Sequence, residues 1–354
     1  MESKKKWVML SLTLSVVTLM ILGGITFIID PFFHYHAPLK TLQYPIENER
    51  YQNDGIVKHF EYDAIITGTS MTQNFKASEF DSIFGVNSIK VCFSGAGFKE
   101  INENLEQAIA ANPDIRYIIR GLDCDRFYKD KDWKRFDSYP TYLYDDNPWN
   151  DVYYFLNKEI LINNTLNVIS YTKSGRKTTD FDTYSNWTEG KTFGREAVLN
   201  TYTRKETGSS KKIQASVDDV QLMKDNLQQN VVDLISAHPD ITFYLFFTPY
   251  SIYYWDSLNQ NGMIERQLAL EKTAIELLLE YDNIRLFSFN DKFELTCNLN
   301  NYKDTMHYSE HINSKILQWM YDGTGLLTKE NYLDYCNNIE RFYTNFDYEE
   351  LFQD

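Results

Sequence analysis

The sequence predicts an α/β protein: a three-layer sandwich with a central parallel sheet of about five strands, preceded by one N-terminal transmembrane helix. The first observation is that short apolar runs alternate with longer runs of helical periodicity between residues 62 and 321. The second is that the short runs are apolar throughout, which is typical of strands buried on both faces. The third is a long uncharged run near the N-terminus.

The N-terminal run predicts an uncleaved signal anchor. Residues 7–29 carry no charge, and about 23 residues are enough to cross a bilayer as a helix. The run ends without the small-residue pattern of a cleavage site. Lys4, Lys5 and Lys6 come before it and predict a cytoplasmic N-terminal tip over residues 1–6, with the rest of the chain extracellular. The sequence therefore predicts a single-pass protein of the cell membrane.

The following elements alternate along the chain. A stalk bearing Pro and Tyr is predicted for residues 30–53, and an α/β domain for residues 54–322. The predicted strands are residues 62–67, 88–93, 115–122, 241–247 and 284–289. The predicted helices are residues 77–84, 99–111, 217–237, 263–281 and 309–321.

Two segments depart from this alternation. Residues 125–216 are predicted to be an insertion in the α/β domain, either a lid or acceptor-binding surface or a poorly ordered segment. Residues 323–354 form an acidic, aromatic C-terminal tail.

Composition excludes some partners. The net charge is −15, and no basic block follows the first residues, so binding to nucleic acid or to an anionic lipid surface is not expected. The aromatic content of 16% fits either a surface that binds sugars or ordinary packing.

The four cysteines lack metal-ligand spacing. Cys92 and Cys124 each end a predicted strand, so either a disulfide or two free thiols is consistent with the sequence.

Two motifs more than two hundred residues apart carry the chemistry. Gly68-Thr69-Ser70-Met71 follows a predicted strand, and Asp304-Thr305-Met306-His307 precedes the last predicted helix of the domain. A serine needs a base to take its proton, and the base needs a carboxylate to fix its tautomer. The chain has only six histidines, so few others could serve as the base. We therefore predict Ser70 as nucleophile, His307 as base and Asp304 as its orienting acid.

The remaining candidate site residues follow other predicted strands. The backbone N–H groups of Ser70 and Gly95 are predicted to hold an oxyanion, and Gly97, Tyr250 and Ser251 are candidates for contact with substrate. His311 lies four residues after His307, but no third ligand has suitable spacing, so neither a metal nor another cofactor is expected.

These motifs resemble the SGNH/GDSL hydrolase-like family. They are most similar to its membrane-anchored extracytoplasmic branch in bacteria, which includes alginate-type polysaccharide O-acetyltransferase proteins and the teichoic acid D-alanine transfer protein. The resemblance spans roughly residues 30 to 322. It rests on Asp30-Pro31-Phe32-Phe33, Gly68-Thr69-Ser70, Ser94-Gly95, Thr248-Pro249-Tyr250-Ser251 and Asp304-x-x-His307-Tyr308.

The resemblance implies an SGNH/flavodoxin-like sheet and the same roles for Ser70, His307, Asp304 and Gly95. The family's third sequence block usually supplies an Asn side chain as another oxyanion donor, and Asp123 stands in that place here. An ionised carboxylate cannot donate a hydrogen bond, so Asp123 would need a raised pKa to fill that role.

The function predicted from these observations is serine O-acyl transfer outside the cell. The enzyme would form an acyl-serine and pass the acyl group, most simply acetyl, to a cell-surface or exported glycan. The resemblance implies a polytopic membrane-bound O-acyltransferase as the acyl supplier. Two alternatives stay open: a carbohydrate esterase or deacetylase of the same fold, and a non-catalytic binding or scaffold protein of the cell envelope.

Overall fold

A computed structural model of the chain describes residues 2–136, 139–145, 147–204 and 211–352. Parts of the predicted insertion (137–138, 146 and 205–210) and the end of the predicted tail (353–354) lie outside the described residues. The chain divides into two compact units. The first comprises Met1–Glu61, Ala110–Asn112 and Phe136–Asp180, and the second comprises Tyr62–Ile109, Pro113–Arg135 and Phe181–Asp354.

The second unit contains a six-stranded sheet, which confirms the predicted α/β class. Its strands are β1 Ala64–Gly68, β2 Ser88–Cys92, β3 Tyr117–Leu122, β4 Thr242–Phe247, β5 Ile284–Ser288 and β6 Leu326–Leu327. Their spatial order is β2-β1-β3-β4-β5-β6. The first five strands run parallel, and β6 pairs antiparallel to β5 at one edge. The short strand β6 is the one that the sequence did not predict.

The described residues also form fourteen α-helices. They are α1 Glu2–Ile29, α2 Glu49–His59, α3 Ala77–Phe84, α4 Phe98–Ala111, α5 Val152–Phe155, α6 Leu166–Lys173, α7 Arg195–Leu199, α8 Val217–Leu227, α9 Asp233–Ala237, α10 Ile252–Gln260, α11 Ile264–Leu278, α12 Phe293–Thr296, α13 Glu310–Asp322 and α14 Tyr332–Asn345. A π-helical stretch, Gln228–Val232, joins α8 to α9, so the helix predicted over residues 217–237 is helical throughout.

Helices cover both faces of the sheet. The chain passes from β1 to β2 in one direction along the sheet, and from β2 through β3 and β4 to β5 in the other. By the general right-handed rule for such crossovers, the two sets of connections lie on opposite faces. Helix α3 contacts α13, and α11 contacts both α8 and α14. The strands between them are almost fully buried, which explains why their sequences are apolar runs without alternation.

The register of the sheet places the candidate site at the carboxyl ends of the strands. Gly68, the last residue of β1, pairs with Cys92, the last residue of β2. The segment that contains Ser70 and the segment that contains Gly95 therefore leave the sheet side by side. In open parallel sheets, binding sites form at this edge.

The first unit contains α1 and a buried aromatic cluster. Helix α1 is long and apolar enough to cross a membrane. The cluster consists of Phe32, Leu143, Tyr154 and Ile160, with further tyrosines packed around it. Asp30 follows α1 and accepts a hydrogen bond of 2.6 Å from the hydroxyl of Tyr154. The segment after α1 is thus fixed to residues more than one hundred positions away in the sequence.

Candidate active site

The loop that carries Ser70 begins at a glycine with unusual backbone geometry. Gly68 has φ +143°, and a Cβ at this position would lie 2.7 Å from the side chain of Thr72. Only glycine accommodates both the backbone angle and the close approach. The backbone N–H of Thr72 then donates to the carbonyl of Thr69 at 3.0 Å, which closes a tight turn. Ser70 lies inside this turn and is partly exposed.

Side chains from β2 and α13 donate hydrogen bonds to the backbone of this loop. The ammonium group of Lys90, on β2, is buried and donates to the carbonyls of Gln73 and Phe75 at 2.5 and 2.8 Å. The carbonyl of Met71 accepts from the side chain of Asn313 at 3.0 Å. Ser70 is therefore presented by a loop that is anchored to the sheet and to α13, rather than by a mobile connection.

The three residues predicted as a catalytic triad meet in space. The Oγ of Ser70 lies 2.8 Å from Nε2 of His307. On the other side of the ring, Nδ1 of His307 lies 2.8 Å from Oδ2 of Asp304. The carboxylate can therefore hold the Nδ1–H tautomer, which leaves Nε2 free to accept the serine proton.

Asp304 is built to remain ionised. Burial alone would raise its pKa, but the hydrogen bond and the charge of His307, with the backbone N–H groups of His307 and Met306, lower the pKa well below the usual value. Lys303 also pairs with Oδ2 of Asp304 at 2.9 Å. A permanently ionised carboxylate stabilises the imidazolium that forms when His307 takes a proton.

Asp123 is a buried acceptor at the centre of the strand ends. Its carboxylate accepts hydrogen bonds from the hydroxyls of Thr69, Thr248 (2.9 Å) and Tyr250 (3.0 Å). These donors follow β1 and β4, while Asp123 follows β3. The contacts use the carboxylate as an acceptor and do not support its role as an oxyanion donor, which stays a prediction.

Asp125 extends this polar network. The hydroxyl of Tyr250 also donates to Asp125 at 3.2 Å, and Arg126 pairs with the same carboxylate. Burial, together with the charge of Asp123, raises the pKa of Asp125 to about 6, against the opposing charge of Arg126. Two carboxylates therefore lie close together beneath the candidate site.

The predicted oxyanion loop is covered by residues from the start of the insertion. Gly95 has φ +66°, and a Cβ there would collide with the guanidinium of Arg135. A Cβ on Gly97 would collide with the carbonyl and ring of Trp133, and the N–H of Gly97 donates to Glu100 at 3.1 Å. Gly95 thus lies beside a cation, while the backbone donor of Gly97 is already used within the fold.

Trp187 covers the other side of the Ser70–His307 pair. Its indole N–H donates to the carbonyl of Ser70 at 2.9 Å, and its ring meets the imidazole of His307 edge to face, with centroids 5.4 Å apart. Phe193 stacks on Trp187, and the ammonium of Lys303 lies 4.8 Å from the centre of the indole ring. Neither periodicity nor a motif marks Trp187 in the sequence, because its contacts depend on the tertiary fold.

The two residues predicted to line the site after β4 are buried. Ser251 donates through its hydroxyl to the carbonyl of Thr305 at 2.7 Å and so fixes the turn between Asp304 and His307. Tyr250 is 2% exposed and bonds the two carboxylates described above. Contact of either residue with substrate stays a prediction.

The cysteines and His311 take no part in this geometry. All four cysteines are free thiols. Nδ1 of His311 pairs with the hydroxyl of Ser309 at 2.7 Å. Across the described ranges of the chain, no group of three or more His, Cys, Asp or Glu side chains is arranged to hold a metal ion.

Comparisons with known proteins add little. No family model matches the chain, and no curated protein matches it. A solved structure from Streptococcus pneumonia, provisionally described as a platelet activating factor, aligns with 78% of this chain and 91% of its own. The identity is 11% and the TM-score is 0.38. Similarity at this level carries no conclusion about activity, so function must be argued from the site itself.

Proposed function

We propose that this protein is a serine-dependent acyl-transfer enzyme that forms an acyl intermediate on Ser70. The observation that carries the proposal is the continuous hydrogen-bonded path from Ser70 through His307 to Asp304, with 2.8 Å at each step. Such a path converts a weak hydroxyl nucleophile into one that can attack an ester carbonyl.

In the first half-reaction, Oγ of Ser70 attacks the acyl carbonyl while Nε2 of His307 takes the hydroxyl proton. Asp304 stabilises the imidazolium. The N–H groups of Ser70 and Gly95 are proposed to hold the oxyanion, with the guanidinium of Arg135 adjacent. The tetrahedral intermediate collapses when the bond to the leaving alcohol breaks, and His307 returns the proton to that alcohol.

In the second half-reaction, an acceptor hydroxyl attacks the acyl-Ser70. His307 takes its proton, the bond to Oγ breaks, and the proton passes to Oγ. The acceptor is proposed to be a sugar hydroxyl of a cell-surface or exported glycan. The half-buried aromatic pair of Trp187 and Phe193 beside the Ser70–His307 pair supports this choice, because aromatic side chains add amphipathic surface against which a sugar ring can pack.

The proposed location is the outer face of the cell membrane, with α1 as a single-pass anchor and the N-terminus in the cytoplasm. The length and apolar character of α1 and the three lysines before its apolar run support this placement. The resemblance stated above supports membership of the SGNH hydrolase-like class and a membrane-bound O-acyltransferase as acyl supplier.

The test uses the full chain in detergent with p-nitrophenyl acetate as donor and a soluble oligosaccharide as acceptor. We expect p-nitrophenol release and O-acetylated sugar, both lost in Ser70→Ala. The matched control is Ser236→Ala, because this exposed hydroxyl bonds only the carbonyl of Asp233 in the described structure. Mass spectrometry of the sugar and of the intact protein gives the readout.

Three results separate the candidates. Acetylated sugar that depends on Ser70 supports transfer. Acetate without acetylated sugar, again dependent on Ser70, supports the esterase alternative and contradicts transfer. If the native protein gives neither an adduct nor turnover, the proposed chemistry fails, and the non-catalytic alternative is the better account.

A further inference from the structure

A groove lined by apolar side chains lies in the first unit. One wall is the face of α1 from Val16 to Phe27, and the other is formed by residues around α5, among them Trp149, Val152 and Leu156. The cavity has a volume of about 590 Å³, and no charged side chain lines it. Along α1 it extends for about 16 Å, at 1.5 Å per residue.

The wall around α5 exposes large apolar side chains. Trp149 is 89% exposed, Tyr153 64% and Leu156 48%. Val152, Ile162 and Leu166 are also exposed. Residues 149–166 therefore carry six of the eleven exposed large hydrophobic side chains found outside α1 among the described residues. A contiguous apolar surface of this kind marks an interaction site in a soluble or membrane protein.

This surface is held in place by buried polar contacts on its reverse side. Tyr154, between the exposed Tyr153 and the groove residue Phe155, is fully buried and donates to Asp30 at 2.6 Å. Asp151 accepts from the hydroxyl of Tyr35 and lies 3.5 Å from the ring of His34. These contacts hold α5 in place, so its exposed apolar side chains form a fixed surface.

We propose that the segment 148–166 is a second membrane element, whose apolar side chains lie among the lipid acyl chains of the outer leaflet beside α1. This inference rests on the anchor proposed for α1. If α1 crosses the bilayer with its N-terminus in the cytoplasm, Gly23 and Phe27 lie in the outer leaflet. Phe155, which lies beside both across the groove, must then reach the same depth.

The chemistry of the segment fits an interfacial position rather than a complete crossing. Trp149 and Tyr153 are the residue types that concentrate at membrane interfaces. The exposed charges of Lys158 and Glu159 limit how deeply the segment can enter, so we place its apolar side chains about 5–10 Å into the boundary between headgroups and acyl chains. The groove between the segment and α1 then takes an acyl chain of a membrane lipid.

The test is fluorescence quenching in vesicles of phosphatidylcholine and phosphatidylglycerol whose acyl chains carry bromine. The full chain is reconstituted as the native protein and as Trp149→Phe, Trp7→Phe and Trp319→Phe. The difference between each variant and the native protein isolates one indole. Trp319 lies on α13, outside both α1 and the segment 148–166, and serves as the reference indole.

We expect the Trp149 component to be quenched at least twofold more strongly than the Trp319 component, with the Trp7 component also quenched. If Trp7 is quenched and Trp149 is not, α1 enters the bilayer but the segment does not. That result overturns the proposal, leaves the anchor intact and assigns the apolar face to a protein partner. If neither Trp7 nor Trp149 is quenched, the anchor itself fails and the inference fails with it.

Discussion

At the scale of single residues, the candidate site depends on side chains that neighbour the triad as much as on the triad. Asp123 joins the ends of β1, β3 and β4 through hydroxyl donors, and Trp187 binds both the Ser70 carbonyl and the His307 ring. Neither needs to touch substrate to affect the reaction, because each positions a residue that does.

The first prediction concerns Thr69, whose hydroxyl donates to Asp123 directly before the nucleophile. Thr69→Val keeps the shape but leaves a buried carboxylate without one donor, which costs about 1–3 kcal/mol. We expect Ser70-dependent turnover to fall about tenfold or more, the equivalent of at least about 1.4 kcal/mol in barrier height. The matched control Thr69→Ser keeps the donor and should retain most activity in the same assay. Equal losses in both variants would contradict the role given to this hydrogen bond.

The second prediction separates the two contacts of Trp187. Trp187→Phe removes the N–H donor but keeps an aromatic edge near His307, so the loss should correspond to one neutral hydrogen bond, about fivefold in kcat. Trp187→Ala also removes the ring contact, worth a further 0.5–1.5 kcal/mol or so, and should cost about tenfold or more in total. Steady-state kinetics on a small ester provides the measurement. Native kcat in Trp187→Ala would show that the indole has no positioning role.

The sequence indicates Ser70, His307 and Asp304 because each lies in a local motif at a strand end or helix start. The structure brings their side chains within hydrogen-bond distance, and their catalytic roles stay predictions. The sequence analysis did not predict Trp187 as a site residue, because Trp187 is more than one hundred residues away from both Ser70 and His307 in the chain. Asp123 is a candidate site residue through the family resemblance. Its three hydroxyl donors, however, come from the packing of neighbouring strands, which a single sequence does not encode in any local pattern.

At the scale of elements, hydropathy found α1, α3, α4, the α8–α9 segment, α11, α13 and the five parallel strands, but it did not find α10 or α14. It did not find α2, because this helix buries Gln52, Asn53 and Asp54 rather than apolar residues on part of its surface. Strand β6 has only two residues, too few for any period to be visible. Both are elements whose existence is decided by tertiary contacts.

The third prediction concerns the packing of α2. A Cβ on Gly55 would collide with the backbone carbonyls of Phe32 and Phe33, in the turn after α1. Gly55→Ala should therefore lower the free energy of unfolding by about 1–3 kcal/mol, as is typical of overpacked sites. Gly24→Ala is the matched control, because a Cβ there would meet nothing within 4 Å. Thermal unfolding of both variants in detergent checks the difference, and equal melting temperatures would contradict the packing described.

At the scale of the whole molecule, the raised pKa of Asp125 links stability to pH. The pKa of Asp125 is raised to about 6, so the folded state binds its proton more tightly than the unfolded state does. The stabilisation from this proton is present below the ordinary pKa of 3.8 and is lost as the pH rises through about 6. At neutral pH, the ionised Asp125 is therefore a net cost to folding.

The fourth prediction concerns the loss of this stabilisation as the pH rises through the pKa of Asp125. Asp125→Asn should raise the free energy of unfolding by about 1–3 kcal/mol at pH 8, and the gain should shrink towards zero near pH 4. The amide oxygen can still accept from Tyr250, so the fold keeps that contact. Urea unfolding at both pH values gives the comparison with the native protein. A constant difference at the two pH values would mean that proton linkage at Asp125 is not its cause.

The central claim is that Ser70 is an activated nucleophile, and covalent trapping tests it most directly. The full chain is treated with a fluorophosphonate, which reacts with activated serines, and the adduct is located by peptide mass spectrometry. We predict one adduct, on Ser70, absent in Ser70→Ala and formed about a hundredfold more slowly in His307→Gln, since general-base assistance contributes about 10²–10⁴ in rate. A native protein that stays unlabelled, or labels at the same rate without the imidazole, would contradict the account.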